Sequence, residues 1–470
     1  MDLLVDLSGS GDRTTRIYQH LLDGIASGRL PPGEKLPATR AFAAELGVAR
    51  GTVATAYERL VAEGYLESRV GAGTFVSPDA RPVPPPSAPA GEVQPRAVWD
   101  RLPAPVPDAP PLEFDLSVAG PDTSLFPFAV WRRLVSATLR PALQEQPVYD
   151  GSGHPRLQAE IARQLRLSRS VVTDGADVLL TAGAQQALDL LARVLLAPGD
   201  TVAVEDPGYT AVVRLYTSHG ARVRGVPVDE EGLVVDALPD DARVVYVTPS
   251  HQFPTGAVMS LRRRTALLDW AAHHRAVIIE DDYDSEFRYE AKALAPLQSL
   301  DRCGRVAYVG SFSKVLMPML RIGYVVAPRS LQPALRDAKL LTDWQGDTVT
   351  QGAMARFLAE GLLAAHLRRA TRVYGTRRAA LLQELSGLDD VLDCYPSAAG
   401  LHVCTRLRDQ RRSDRKIAAA LEQRGVGVEP LSPRYVEQRP VQGLALGFRH
   451  IDEPHIPEAV RRIGAVLRGS

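Results

Sequence analysis

Between Ser77 and Leu112 the chain carries twelve prolines, among them Pro84-Pro85-Pro86 and Pro110-Pro111, set among small and charged residues. Proline fixes φ and removes a backbone donor, so neither a helix interior nor a sheet ladder tolerates such a density. The stretch reads as an extended, semi-rigid tether, which at ~3.1 Å per residue reaches up to roughly 100 Å. A chain of 470 residues divided there has to build separate cores on either side, because a single core stops growing well before that length. The expected organisation is a module at 1–77, a linker at 78–112 and a larger domain at 113–470, with a smaller C-terminal subdomain from about 361.

With 45% hydrophobic residues, 23% charged residues and a formal net charge of zero, no global field draws the chain to nucleic acid. Any contact with DNA has to come from a local basic surface. Cys303, Cys394 and Cys404 are too few and too scattered for a disulfide framework, and none forms the C-x-x-C pair that suggests zinc. The opening Met1–Asp6 carries acid where a secretory signal needs base, and no apolar run approaches the ~18 residues that span a bilayer. A cytoplasmic protein with no membrane partner is expected. His273, His274, His450 and His455 have no acidic or cysteine partner at ligand spacing, so no metal is expected either.

Ahead of the tether, Ile17, Leu21 and Ile25 share one face of a helix that Gly28 ends. A second helix is predicted over about Thr39–Leu46 and a third over about Thr52–Glu63, with a Gly47 turn between them, which makes a helix-turn-helix. Tyr65–Val70 and Thr74–Val76 flank Gly71-Ala72-Gly73, a strand–turn–strand wing. The segments Gly28–Pro37, Thr39-Arg40, Arg50-Gly51-Thr52-Val53, Ala56-Tyr57 and Gly64-Tyr65-Leu66 together resemble the GntR winged-helix pattern over nearly all of residues 14–77. Taken singly, each arginine is an ordinary surface charge. Their joint spacing places Thr39, Arg40, Arg50 and Thr52 at the starts of helices two and three, where donors meet the major groove and the phosphates. Arg69, Gly71 and Gly73 would reach the minor groove or backbone from the wing. The family usually has Ser where Ala49 stands, so this recognition helix lacks its cap, at a cost of about 1 kcal/mol.

After the tether, apolar strands alternate with amphipathic helices, which indicates an α/β domain with a largely parallel sheet. Strands are predicted near 177–180, 201–204, 244–248, 276–281, 306–310 and 323–327. A long Arg-rich helix from about Gly361 leads to further strands near 401–405, 426–429 and 444–448. Asp281 and Tyr283 lie two residues apart at a strand's carboxyl end and so face the same side. Ser311-Phe312-Ser313-Lys314, with Arg321 seven residues on, follows another strand.

Residues 113–468 resemble the fold type I pyridoxal-phosphate enzymes, the aminotransferase-like class. That resemblance implies a Schiff base between Lys314 and pyridoxal 5'-phosphate, with Asp281 on the pyridine nitrogen and Tyr283 on the ring's 3-oxygen. Ser311, Ser313 and Arg321 would hold the phosphate, joined by the backbone of Ala184 and Gln185 where a strand passes into a helix. Tyr209 would stack on the ring. Phe253 stands where aminotransferases usually carry an asparagine to the ring oxygen, leaving His251 or Gln252 as substitutes. Arg449 occupies the place of the arginine that takes the carboxylate of a substrate or effector. Tyr149 with Gly153 resembles the segment that enters the partner subunit's site in head-to-tail homodimers.

The combination resembles the MocR-type regulators, a GntR winged helix fused to a fold type I domain. It implies a transcription regulator whose grip on a double-stranded operator is modulated by pyridoxal phosphate, alone or joined to an amino compound. Control of pyridoxal-phosphate synthesis or of amino-compound use is the expected role. The alternative is an active aminotransferase carrying an appended DNA-binding module, and a scaffold without cofactor is a third reading. Phe253 together with the tether favours the regulator, an assignment under which the chain is not primarily an enzyme.

Overall fold

The computed structural model describes residues 12–80, 92–102, 112–118, 120–139, 151–289, 295–397 and 399–469. The chain divides into two compact units, Met1–Pro95 and Arg96–Ser470.

In the first unit, helices α1 (Arg13–Ala26), α2 (Thr39–Glu45) and α3 (Arg50–Ala62) precede an antiparallel ribbon of β1 (Leu66–Arg69) and β2 (Gly73–Val76). Asp12 caps α1 by accepting from the Thr14 N–H, one of the donors a helix start leaves free. α3 starts two residues earlier than its apolar spacing suggests, and Ala49 at its cap supplies no side-chain acceptor. The three helices and the ribbon close over one core containing Ile17, Leu21, Phe42, Val53, Tyr57, Leu60 and Val76. Phe42 is fully buried there, so truncating it to Ala costs about 3–5 kcal/mol. Gly71 and Gly73 turn the ribbon at φ +74° and +118°, which only glycine adopts without strain. Ala80 belongs to the same core, and Arg96 donates to the Ser218 carbonyl at 3.3 Å. The start of the expected 78–112 linker is thus engaged by the first unit, and Arg96 in its middle by the second.

The second unit opens with β3 (Phe114–Asp115). Its large sheet is built, among the described residues, from β4 (Val178–Thr181), β5 (Thr201–Asp206), β6 (Arg222–Asp229), β7 (Gly232–Leu233), β8 (Ala242–Val247), β9 (Val277–Asp282), β10 (Val306–Ser311) and β11 (Gly323–Val326). The spatial order is β4-β11-β10-β9-β8-β5-β6-β7. β6, β5, β8, β9 and β10 run parallel, while β11 is antiparallel to both of its neighbours. β4 consequently points the same way as β10, and the carboxyl ends of five strands that feed one region share one edge. Successive residues of β10 face opposite layers. Tyr308 joins the core beneath the helix Pro155–Arg169 and Val309 the core beneath Ala184–Leu195, so these strands read as apolar runs rather than as alternating ones.

The smaller subdomain follows the helix Leu362–Leu385 and has a sheet of β12 (Leu392–Cys394), β13 (His402–Leu407), β15 (Glu429–Pro430) and β16 (Gly443–Gly447), ordered β12-β13-β16-β15. The single strand expected over 426–429 is two. β14 (Val426–Gly427) pairs with β3, and the chain then crosses to pair β15 with β16, where Pro430 sits in an edge strand that tolerates its missing donor. Phe114 and Leu116 lie in this subdomain's core, so the small unit also takes in the segment directly after the tether.

Candidate functional site

Five strands running in one direction deliver their following residues to one cavity of about 390 Å³. The end of β9 contributes Asp281 and the turn after it Tyr283, the end of β10 contributes Ser311 and the loop after it Ser313 and Lys314, and the end of β8 contributes Tyr246 and the following Thr248. Arg321 comes from the turn before β11, Ala184 and Gln185 from the helix after β4, Tyr209 from the turn after β5, and Arg449 from just past β16. Scattered through 266 residues of sequence, they become neighbours only because the strands that carry them are parallel.

Charge in the cavity is set by desolvation and by a few donors. Burial, with the nearby Arg449 guanidinium second, lowers the Lys314 ammonium to about 8. Lys314 Nζ donates to the Val118 carbonyl at 3.3 Å. Burial lifts the Asp281 carboxyl to about 6, opposed by a hydrogen bond from the Tyr246 hydroxyl to Oδ2 at 2.7 Å. Its Oδ1 is buried with no partner among the described residues. Burial also brings the Arg449 guanidinium down to about 10. One of its nitrogens donates to the Ser117 carbonyl at 3.1 Å, while Nε and Nη1 are buried and unpartnered among the described residues.

Hydroxyl and cationic donors meet beside the start of the helix Ala184–Leu195. Ser311 Oγ accepts from the Ser313 N–H at 3.0 Å and donates to Ser313 Oγ at 2.9 Å. Arg321 adopts a left-handed backbone, φ +50°, and its guanidinium bonds the Ala182 carbonyl. A Cβ on Gly183 would lie 3.1 Å from that guanidinium, so this close approach needs glycine. Gly183 leaves the helix without a side-chain cap, and Ala184 and Gln185 of its first turn line the cavity together with Ser311, Ser313 and Arg321.

His251 and Gln252 do not line the cavity, contrary to expectation. Both turn inward to hydrogen-bond buried carboxylates. His251 Nδ1 meets Asp284, and Gln252 donates to Glu205 and to the Pro207 carbonyl. Phe253 does face the cavity. Lining residues not singled out from the sequence include Tyr246, Asp284, His402, Glu429 and Arg434. Arg434 pairs with Glu429 and lies over the Phe253 ring at 5.1 Å. A lone tyrosine inside the apolar run Val244–Val247 was a readable signal, whereas the Glu429–Arg434 pair exists only through tertiary packing. Tyr149 lies outside the described residues. Gly153, at φ +102°, packs its Cα against Leu180.

On the winged helix, Arg40 and Arg50 are exposed at the first turns of α2 and α3, with Thr39 and Thr52 half-buried beside them. Arg69 is exposed on the wing, pairs with Glu67 and covers the Phe75 ring at 4.8 Å. Gly71 and Gly73 are exposed at the turn, where Val70 projects fully into solvent.

Residues 113–444 match the aminotransferase class I and II family, and residues 13–76 match the gntR family of bacterial regulatory proteins. The chain is 35% identical, over 98% of its length and 95% of the relative's, to the probable rhizopine catabolism regulatory protein MocR of Rhizobium meliloti. It is also 35% identical to the HTH-type pyridoxine biosynthesis transcriptional regulator PdxR of Corynebacterium glutamicum, over 93% of this chain and 92% of that one. Among solved structures, a Pyrococcus horikoshii kynurenine aminotransferase aligns with a TM-score of 0.71 and 27% identity, covering 77% of this chain and 91% of the enzyme. No helix among the described residues is long and apolar enough to cross a membrane. With both family matches in one chain and near-complete overlap with such regulators, the protein belongs to the MocR-type transcription regulators, which join a gntR winged helix to an aminotransferase domain of the pyridoxal-phosphate fold class.

Proposed function

We propose that the chain binds operator DNA through residues 1–77 and reads pyridoxal phosphate, alone or with an amino compound, in residues 113–470, the two joined by the 78–112 tether. The observation that carries this is the unpartnered Oδ1 of buried Asp281, in the same cavity as a lysine whose pKa is lowered to about 8, so that half of its amine is neutral at that pH. A carboxylate held dry with one empty oxygen suits a ring N–H, and a neutral amine suits an aldehyde.

When bound, the cofactor supplies an aldehyde that condenses with amines and a ring that withdraws electrons. The chain's own residues supply the rest. Lys314 is the nucleophile, Asp281 holds a proton at the ring nitrogen, and the Tyr283 hydroxyl donates at the ring oxygen. Tyr209 covers the ring. Ser311, Ser313, Arg321 and the N–H groups of Ala184 and Gln185 anchor the phosphate, and Arg449 offers its unused Nε and Nη1 to an effector carboxylate. A head-to-tail homodimer acting in the cytoplasm would present two winged helices to two half-sites. The names of the relatives support control of vitamin B6 synthesis or of amino-compound use.

Titrating operator affinity with and without pyridoxal phosphate and amino acids tests this reading. Affinity indifferent to every ligand would refute it, and amino-group transfer at or above ~1 s⁻¹ would favour an enzyme.

A further inference from the structure

Behind Tyr283 lies a buried histidine that does not itself line the cavity, although its partners Tyr283 and Asp284 do. His251 Nδ1 is 3.0 Å from the Tyr283 hydroxyl and 3.1 Å from each oxygen of Asp284, and its Nε2 is 3.1 Å from Ser397 Oγ. Both His251 and Asp284 side chains are almost wholly shielded from solvent. The ring is clamped between Gly256 and Gly400. A Cβ on Gly400 would lie 2.0 Å from its Cε1, so the imidazole has one pose. His402 lies tilted against it, its ring centroid 5.3 Å away and its Nε2 on the Pro254 carbonyl at 2.9 Å. His251, Asp284 and His402 could together hold a metal ion, but the hydrogen bonds already use both nitrogens of His251.

An ionised carboxylate only accepts, so the hydrogen on Nδ1 belongs to the nitrogen and is directed at Asp284. The Tyr283 oxygen, at hydrogen-bond distance from the same N–H, meets it as an acceptor. Its own hydrogen then has to point elsewhere, and Tyr283 lines the cavity.

We propose that His251, oriented by Asp284, is a positioning residue that fixes the Tyr283 hydroxyl as a donor into the cavity, toward the ring oxygen of the bound cofactor. This rests on the reading that Lys314 captures pyridoxal phosphate. A donor at that oxygen draws its charge away from the neighbouring lysine–cofactor nitrogen, so the nitrogen gives up its proton at lower pH. Without the donor, the nitrogen holds its proton to higher pH.

The test is the pH midpoint of the visible absorbance of the full-length protein loaded with pyridoxal phosphate. Tyr283→Phe sets the size of the effect. His251→Leu and Asp284→Asn, whose neutral amide no longer fixes the hydrogen on Nδ1 and so lets the phenol donate to that nitrogen instead, should raise the midpoint in the same direction by about one pH unit, a tenfold change in proton affinity. His251→Asn, whose amide can replace the Nδ1–H, should return most of it. If His251→Leu misfolds, the near-isosteric Asp284→Asn carries the test. Wild-type midpoints in both His251→Leu and Asp284→Asn, with Tyr283→Phe shifted, would overturn the positioning role and leave Lys314 capture standing. Absence of any visible band in the wild type would overturn the capture reading itself.

Discussion

The Tyr246 hydroxyl donates to Asp281 from the adjacent strand at 2.7 Å, and it is the hydrogen bond that most opposes the effect of burial on that carboxyl. Removing it in Tyr246→Phe should lift the Asp281 pKa above its present value of about 6. The sign follows from which form the phenol stabilises. It donates to the ionised carboxylate, so without it a larger share of Asp281 is protonated at pH 7 and its attraction for a ring N–H weakens. One net hydrogen bond of about 1 kcal/mol corresponds to roughly fivefold weaker cofactor binding, with a larger deficit at pH 6 than at pH 8. Absorbance titrations at the three pH values check both size and trend.

Capture of the aldehyde should follow the free amine of Lys314. With its pKa lowered to about 8, the rate of covalent uptake should rise about tenfold per pH unit between 6 and 7 and flatten above 8. Stopped-flow absorbance measures this directly. Lys314→Ala should abolish the visible band while keeping part of the affinity for DNA, and a persisting band would mean another lysine reacts.

Arg449 should discriminate between effectors by their carboxylate. Arg449→Gln is expected to weaken amino-acid binding by roughly tenfold to a hundredfold, since hydrogen bonds to charged groups contribute about 1.5–3 kcal/mol. A simple amine lacking a carboxylate should bind as before. Equal losses for both would show that the substitution damages the cavity in general.

The uncapped start of α3 offers a gain-of-stability test. Ala49→Ser should supply the missing acceptor and stabilise the winged helix by about 1 kcal/mol, seen as slower hydrogen exchange at residues 50–53 in the intact protein. Arg50→Ala should reduce operator affinity in a mobility-shift assay. Uniform loss across sequences would assign a phosphate contact, and relaxed preference at one base a groove contact.

Much of this was legible before any fold was in view, for particular reasons. The strands of the large sheet announce themselves as apolar runs because both faces are covered, and Asp281 with Tyr283 could be paired because a strand alternates with period two. β6 escaped notice although Arg222–Asp229 alternates, since an exposed, Arg-containing strand near the sheet edge looks like loop. His251 was expected in the cavity because sequence proximity to Phe253 says nothing about which way a turn aims its side chains. The deciding influence was Asp284, 33 residues away, which needed a donor in a dry interior. Glu429 and Arg434 lie in a subdomain whose approach to the sheet no local pattern encodes.

Ser117 and Val118 stand immediately downstream of the proline-rich stretch, and their carbonyls are gripped by Arg449 and Lys314. A displacement of Ser117 and Val118 therefore bears directly on two cations of the cavity. Under the proposed reading thermodynamic reciprocity makes the traffic two-way: if an amine loosens the hold on a promoter, the promoter loosens the hold on the amine by an equal factor.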